Sequence, residues 1–418
     1  MSATAGLLLA LVITNVTLID GTGRAPREGV TLVVEGDRIV SVTASREAGE
    51  GAGTRLDGTG KWAVPGLMDM HVHLQGGLSA LHGYLYCGVT SIYDAGNDPE
   101  VIFPLRERER KGEIVSPRIF AAGAVVTAPG GHGGDGAVTV EDFARDRGKL
   151  DEHIARSPDL LKITQDEHGW GTRPMIRHLP AELLEEIVRY YHEHGIRTTI
   201  HVSNEIRAWE AVYAGVDTLA HPVIQGPVSD RYLNMMRVKK IPQVSTLTIG
   251  EGYSRLVDHP EFLDEPLYRA TLSPMQIDRL RTKTRKEWEA RRWTQWMKVM
   301  TPVAQENLKK LHEVGGVVVA GTDQSLGPAL HRELELLVEG GIPPLDAIGI
   351  ATRNGALFLG KERDLGTLEE GKLADIVLLD ANPAEDIDNL KRIHAVVKGG
   401  IVVDRSSLQI PVNGVTSP

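Results

Sequence analysis

The chain has 418 residues, 41% of them apolar and 24% charged, with 45 glycines and a formal net charge of −10. The acidic balance argues against nonspecific nucleic-acid binding as the main activity, and the lone cysteine, Cys87, excludes an intrachain disulfide and a thiolate zinc site. So long a chain suits a barrel of about 250 residues with a smaller domain beside it.

Near the start, the apolar run Leu7 to Ile13 is far short of the roughly 20 residues that cross a bilayer. No Lys or Arg precedes it, and it merges into an alternating stretch, Leu11 to Asp20. We therefore expect a strand and no membrane span. The cysteine count fits a cytoplasmic protein, with a periplasmic or secreted one that has lost a leader as the alternative. Alternating strands follow at Leu11–Ile19 and Val30–Val42, the second broken by a Glu35-Gly36-Asp37-Arg38 turn. The same texture returns after residue 362, at Gly371–Asp380 and Ala395–Val403. Neither end has enough apolar residues to fold alone, so residues 1–62 and 362–418 are expected to join in one discontinuous β-sandwich.

Between them, residues 63–361 alternate apolar strands with amphipathic helices. The expected strands are Leu67–His73, Val89–Ala95, Ile119–Val126, Leu160–Thr164, Thr198–Val202, Thr218–His221, Gln243–Ile249 and Val317–Thr322. A helix is expected over Pro180–His194, where Leu183, Leu184, Ile187, Val188 and Tyr191 recur at helical spacing before Gly195. Eight such units predict an α/β fold, a (β/α)8 TIM barrel with its active site at the C-terminal strand ends. An insertion at about 251–302, rich in Trp288, Trp293 and Trp296 and in basic residues, reads either as a lid over the barrel mouth or as a solvated helix packed by its tryptophans.

Candidate ligands sit at those strand ends. His71 and His73 project to one face of a strand and form a pincer, although a His-X-His pair alone also occurs by chance. His201 and His221 each end a strand, where a strand-capping histidine is the plain alternative, and Asp323 closes Val-Val-Val-Ala-Gly-Thr-Asp, where it could instead cap the next helix. Lys162 lies inside an apolar strand, and burying its ammonium requires either a neighbouring carboxylate or a chemical modification.

Taken together, Pro65–Leu74 (Pro-Gly-Leu-Met-Asp-Met-His-Val-His-Leu), His201, His221, Gly321-Thr322-Asp323 and Leu365–Asp375 resemble the signatures of the amidohydrolase superfamily over essentially the whole chain. The resemblance implies that Lys162 is carboxylated by CO2 and bridges two divalent ions, zinc in most relatives. His71, His73 and Asp323 would hold one ion, and His201 and His221 the other. Four neutral imidazoles, a carbamate, an aspartate and a hydroxide then leave a small positive charge to polarise a carbonyl. It further implies attack by a metal-bridging hydroxide on an amide-type C–N bond, with Asp323 carrying the proton to the leaving nitrogen.

His132, in Gly-Gly-His-Gly, resembles the element of the imidazolonepropionase-like and prolidase-like branch that binds the substrate carbonyl; an incidental histidine in a flexible loop is the alternative. Peptidase-like members of that branch carry Tyr where this chain has Ser203, a candidate substrate contact, and Gly where it has Pro222. The expected substrate is thus a small-molecule amide, an N-acyl amino acid, dipeptide or carbamate, acted on by a homo-oligomer. Lactone or phosphotriester hydrolysis on the same site is one rival, and a non-catalytic scaffold that keeps the fold is another. Deamination is disfavoured, because deaminating relatives lack the lysine.

Overall fold

The computed structural model describes residues 10–45, 53–168 and 174–414. Residues 1–9, which hold the start of the first apolar run and any trace of a leader, lie outside them. No helix among the described residues is long and apolar enough to cross a membrane.

The two ends of the chain share one mixed, eight-stranded sheet. From the N-terminal side come β1 (Ala10–Leu18), β2 (Arg27–Glu35), β3 (Arg38–Ala44), β4 (Gly53–Asp57) and β5 (Trp62–Pro65). The hairpin β2–β3 turns at Gly36, where φ of 60° suits glycine. Pairing of β5 with a strand from the far end, Ile376–Leu379, is antiparallel, with Val64 opposite Val377. Leu11, Ile13, Val16, Leu32, Val34, Ile376, Leu378 and Val397 bury their side chains together on this sheet.

The central strands are β6 (Leu67–Val72), β7 (Val89–Asp94), β8 (Arg118–Ala121), β9 (Val126–Thr127), β10 (Val138–Thr139), β11 (Leu160–Thr164), β12 (Arg197–His201), β13 (Thr218–Ala220), β14 (Pro242–Val244) and β15 (Val317–Val319). The C-terminal strands are β16 (Ile376–Leu379), β17 (Ile393–Lys398) and β18 (Ile401–Val402). All central pairings are parallel, in the orders β6-β7-β8 and β10-β9-β11-β12-β13-β14-β15. Every residue of β6, β7 and β11 is buried, as expected for parallel strands covered on both faces. Backbone hydrogen bonds connect the two sheets at both edges: Asp159 N donates to Ala121 O at 2.9 Å, and Met70 N to Ala320 O at 3.0 Å.

Three expectations change. The strand expected at Ile119–Val126 is split into β8 and β9 around Gly123, whose φ of 71° breaks the extended run, and β10 was not foreseen. The strand expected at Gln243–Ile249 stops at Val244, and Leu247–Asp258 is a helix. Thr246 is left-handed there, with φ of 35°. The buried Glu333 carboxylate accepts the Leu247 and Thr248 amides at 2.8 Å each, satisfying the exposed donors of a helix start. The helix Ala181–Glu193 agrees with the reading at Pro180–His194.

The insertion at 251–302 is helical, running from Leu247–Asp258 through short segments to the long helix Arg292–Glu313. Both readings of its tryptophans hold in part. Trp288 packs against a local cluster of Leu256, Leu263, Tyr268 and Leu272 and meets the Tyr253 ring at 4.6 Å, whereas Trp293 lines the central cavity. The basic residues serve structure: Arg281 pairs with Asp264 at 2.5 Å, and Arg285 donates to Val257 O.

Candidate metal centre

Parallel strands present their C-terminal ends on one side, and there the expected residues meet. The position of His71 is fixed by Asp69, whose buried carboxylate accepts the amides of His71 at 3.3 Å and Thr322 at 3.0 Å and the Thr322 hydroxyl at 2.8 Å. Asp323 N donates to His71 O at 2.7 Å. One buried carboxyl thereby ties the first central strand to the last, and burial raises its pKa to about 8.

Around that tie, Asp323 Oδ1 lies 3.3 Å from His73 Nε2 and 3.8 Å from His71 Nε2. The His71 and His221 rings are 4.5 Å apart, and those of His221 and His201 are 4.3 Å apart. Lys162 Nζ lies inside this cluster, 3.2 Å from His71 Nε2. All six residues expected as ligands, His71, His73, Lys162, His201, His221 and Asp323, are thus neighbours although 252 positions separate the first from the last.

Several rings are aimed by a second bond. His73 Nδ1 donates to Gly96 O at 2.7 Å, which turns Nε2 toward Asp323. A Cβ on Gly96 would come within 3.2 Å of the His73 ring and 2.8 Å of Val125, so only glycine allows this approach. His221 Nδ1 lies 2.9 Å from the Thr246 hydroxyl. His221, Thr246 and Asp323 all have positive φ, of 70°, 35° and 54°, a concentration of sparsely populated backbone typical of functional sites.

Burial and mutual proximity hold two of the imidazoles neutral, whereas for His73 burial is outweighed by Asp323 and the pKa rises. His71 and His221 are held well below the usual imidazole range, by burial first and then by Lys162 and the neighbouring histidines. Burial brings Lys162 down to about 7, against the pull of Asp323 and Asp94. For Asp323, burial is outweighed by the His73 hydrogen bond, so it stays below the normal carboxylate range. Neutral His71 and His221, an ionised Asp323 and an amine freed near neutral pH are protonation states that suit a divalent ion, and His73 would give up its proton on binding one. Ligand atoms of His71, His221 and Asp323 lie within 4.8 Å of one another, so the donor set fits a metal with bonds of about 2.0–2.2 Å after small adjustments.

His201 departs from the simplest expectation. Its Nε2 lies 3.2 Å from Asp166 Oδ2, so the nitrogen expected to bind metal is engaged by a carboxylate absent from the sequence reading. Asp166 also accepts the Ser203 hydroxyl at 3.0 Å and faces His132 Nδ1 at 3.9 Å and His168 Nε2 at 3.7 Å. His132, Asp166 and His168 form a second group able to hold an ion. A signal for Asp166 existed: positions 162, 164 and 166 share one strand face by alternation, although β11 ends at Thr164. His168 lies in the loop beyond, with φ of 56°, and no periodicity marks it.

His132 stands where its loop enters the cluster, its ring 4.4 Å from that of His201, and the Thr164 hydroxyl donates to its carbonyl. Burial, then the His201 and His168 rings, drive its pKa to about 2, so the ring is neutral and offers one N–H. Its Nδ1 is buried without a hydrogen-bond partner. Ser203 also receives the Gln225 amide at 2.8 Å, so its hydroxyl is spent on neighbours rather than turned freely to a ligand.

Two cavities flank the cluster and share His132, His201, His221 and Asp323 in their walls. A narrow lobe of about 220 Å³ runs under the insertion. A wider one of about 780 Å³ opens beside Gly96, Asn97, Gly133 and Gly134.

Residues 298–403 match the family model described as the amidohydrolase family. Ochratoxinase of Aspergillus niger is 25% identical over 396 residues, covering 81% of this chain and 74% of that protein. The chain is similar to amidohydrolases over most of its length. Among solved structures, a Xaa-Pro dipeptidase with methionine bound in its active site aligns with this chain at a TM-score of 0.76 and 23% identity, covering 94% of this chain and 99% of the other. Molinate hydrolase aligns at 0.76 and 22% identity, covering 96% of each. At these identities the structures establish the shared fold of the enzyme.

Proposed function

We propose that this amidohydrolase cleaves an amide-type C–N bond at a centre of two divalent ions, held by His71, His73, Lys162, His201, His221 and Asp323. We further infer that β6, β7, β8, β11, β12, β13, β14 and β15 close into a (β/α)8 barrel, with 1–62 and 362–418 as the accessory domain. The observation that carries the reading is the meeting of four imidazoles, an ionised aspartate and a buried lysine amine at one set of parallel strand ends. The named relatives, an ochratoxinase and a dipeptidase among them, favour C–N bonds as the target.

When bound, divalent ions supply Lewis acidity and lower the pKa of a water to about 7. The protein supplies the rest. Lys162 is poised to add its free amine to CO2, forming a carbamate and releasing one proton, which converts a buried amine into an anionic oxygen ligand. Asp323, ionised and at the cluster's edge, accepts a proton from the attacking water and passes it to the leaving nitrogen. His132 donates its single N–H to the carbonyl oxygen as charge develops there. Asp166 positions both histidines of its side and must release His201 Nε2 when an ion is taken up.

The deciding experiment loads the purified enzyme with zinc and assays N-acyl amino acids, dipeptides, carbamates, lactones and phosphotriesters. Turnover confined to amides and carbamates supports the proposal. A preference for lactones or phosphotriesters transfers the site to another leaving group, and failure to retain metal leaves a scaffold.

A further inference from the structure

We propose that the narrow lobe is a binding site for one aryl or compact branched apolar group of the substrate, with Trp293 setting the size it accepts. Its walls away from the metal cluster come from Ile224, Leu247, Ile249, Tyr253, Trp293 and Met297. Two aromatic faces and a thioether are surfaces on which a ring packs well. A volume of about 220 Å³ suits the assignment, because an apolar cavity of about 150 Å³ already admits benzene. The remaining space accommodates the linker to the scissile bond, and Trp293 bounds how far a larger group can extend.

The two helices that form the lobe pack closely at Gly250, where a Cβ would fall 2.7 Å from Met297 Cε and 2.9 Å from Thr301 Oγ1, side-chain ends that would have to move aside. The helix Leu247–Asp258 therefore sits directly on Arg292–Glu313, which holds Trp293 in its first turn and Met297 one turn on. Across the cluster, the wider lobe is walled by Asn97, Asp98 and the glycines of the His132 loop. Since the lobes share His132, His201, His221 and Asp323, a substrate with its scissile group at His132 and Asp323 must point one substituent into each. The asymmetry assigns the compact apolar group to the narrow side and the larger, more polar part to the wide side.

The kinetic arm of the test rests on the amide reading, and a binding arm stands apart from it. With zinc-loaded enzyme, p-nitroanilides of acetic, phenylacetic and 1-naphthylacetic acid are compared by kcat/KM. Calorimetry measures binding of two inert alcohols, benzyl alcohol and 1-naphthylmethanol. The phenylacetyl compound is expected to exceed the acetyl one by about 100-fold or more and to exceed the naphthyl one. Trp293→Ala should invert the order of the two aromatic substrates, mainly through KM, and Trp293→Phe should restore the original order. Benzyl alcohol should bind the wild type at least tenfold more tightly than Trp293→Ala, which should gain affinity for naphthylmethanol. If no anilide is cleaved while the alcohols show this pattern, the amide reading fails and the lobe assignment stands. Equal affinities in wild type and Trp293→Ala, or no alcohol binding at all, overturn the assignment whichever substrates are cleaved.

Discussion

At the scale of single residues, burial sets the protonation state of several groups in the cluster. His132 shows this most simply: burial fixes it as a neutral donor, so its contribution is a directed hydrogen bond rather than a charge. Its replacement by Ala should lower kcat by about 10²–10³-fold while metal content stays at the wild-type level. Unchanged turnover would remove it from the mechanism. The same physics operates far from the cluster at His331, which donates Nε2–H to Cys87 O at 2.9 Å and whose pKa burial lowers to about 4. The unfolded chain takes up this proton near 6.5 and the folded one only near 4, so between those values the unfolded state holds more protons. Stability therefore falls as pH drops from about 6.5 to 4, by about 3 kcal/mol from this residue. His331→Gln should flatten that part of the dependence in urea melts at pH 7 and 4.5; an equal slope in both proteins would show that the imidazole does not titrate as inferred.

Elements place those residues, and one contact between elements matters more than its chain position indicates. Glu333 lies in the helix Pro328–Glu339 and caps the start of Leu247–Asp258 with two backbone bonds and one from the Thr248 hydroxyl. Glu333→Ala strands the Leu247 and Thr248 amides, and should cost about 2–3 kcal/mol with a loss of affinity for whatever occupies the narrow lobe. A melt and a KM within error of wild type would show that another group replaces the cap. The sequence could not disclose this partnership. Gln243 to Ile249 carries the apolar texture of a strand, and the decisive facts are a left-handed Thr246 and a carboxylate more than eighty residues away.

Across the whole molecule, what was legible followed from periodicity. His71 and His73 share a face because alternate strand residues do, and His201, His221 and Asp323 were readable as strand ends because an apolar run stops at each. The shared sheet of the two termini was legible in their matching alternation, and β5 pairing with β16 joins them. Loops carry no such period, so nothing marks His168, and Asp166, which faces His132, His168 and His201, continues the alternation of Lys162 and Thr164 only beyond the end of the apolar run. The same gap explains why six candidate ligands were legible in the sequence and the carboxylate beside His201 was not.

The most direct measurement is anomalous diffraction from crystals of the zinc-loaded enzyme grown with bicarbonate, with metal content determined on the same preparation. Two ions per chain, joined by density continuous with Lys162 Nζ and flanked by His71, His73, Asp323, His201 and His221, are the result expected. Lys162 ending as a bare amine turned away from the histidines, with one ion or none bound, would contradict the bridged centre.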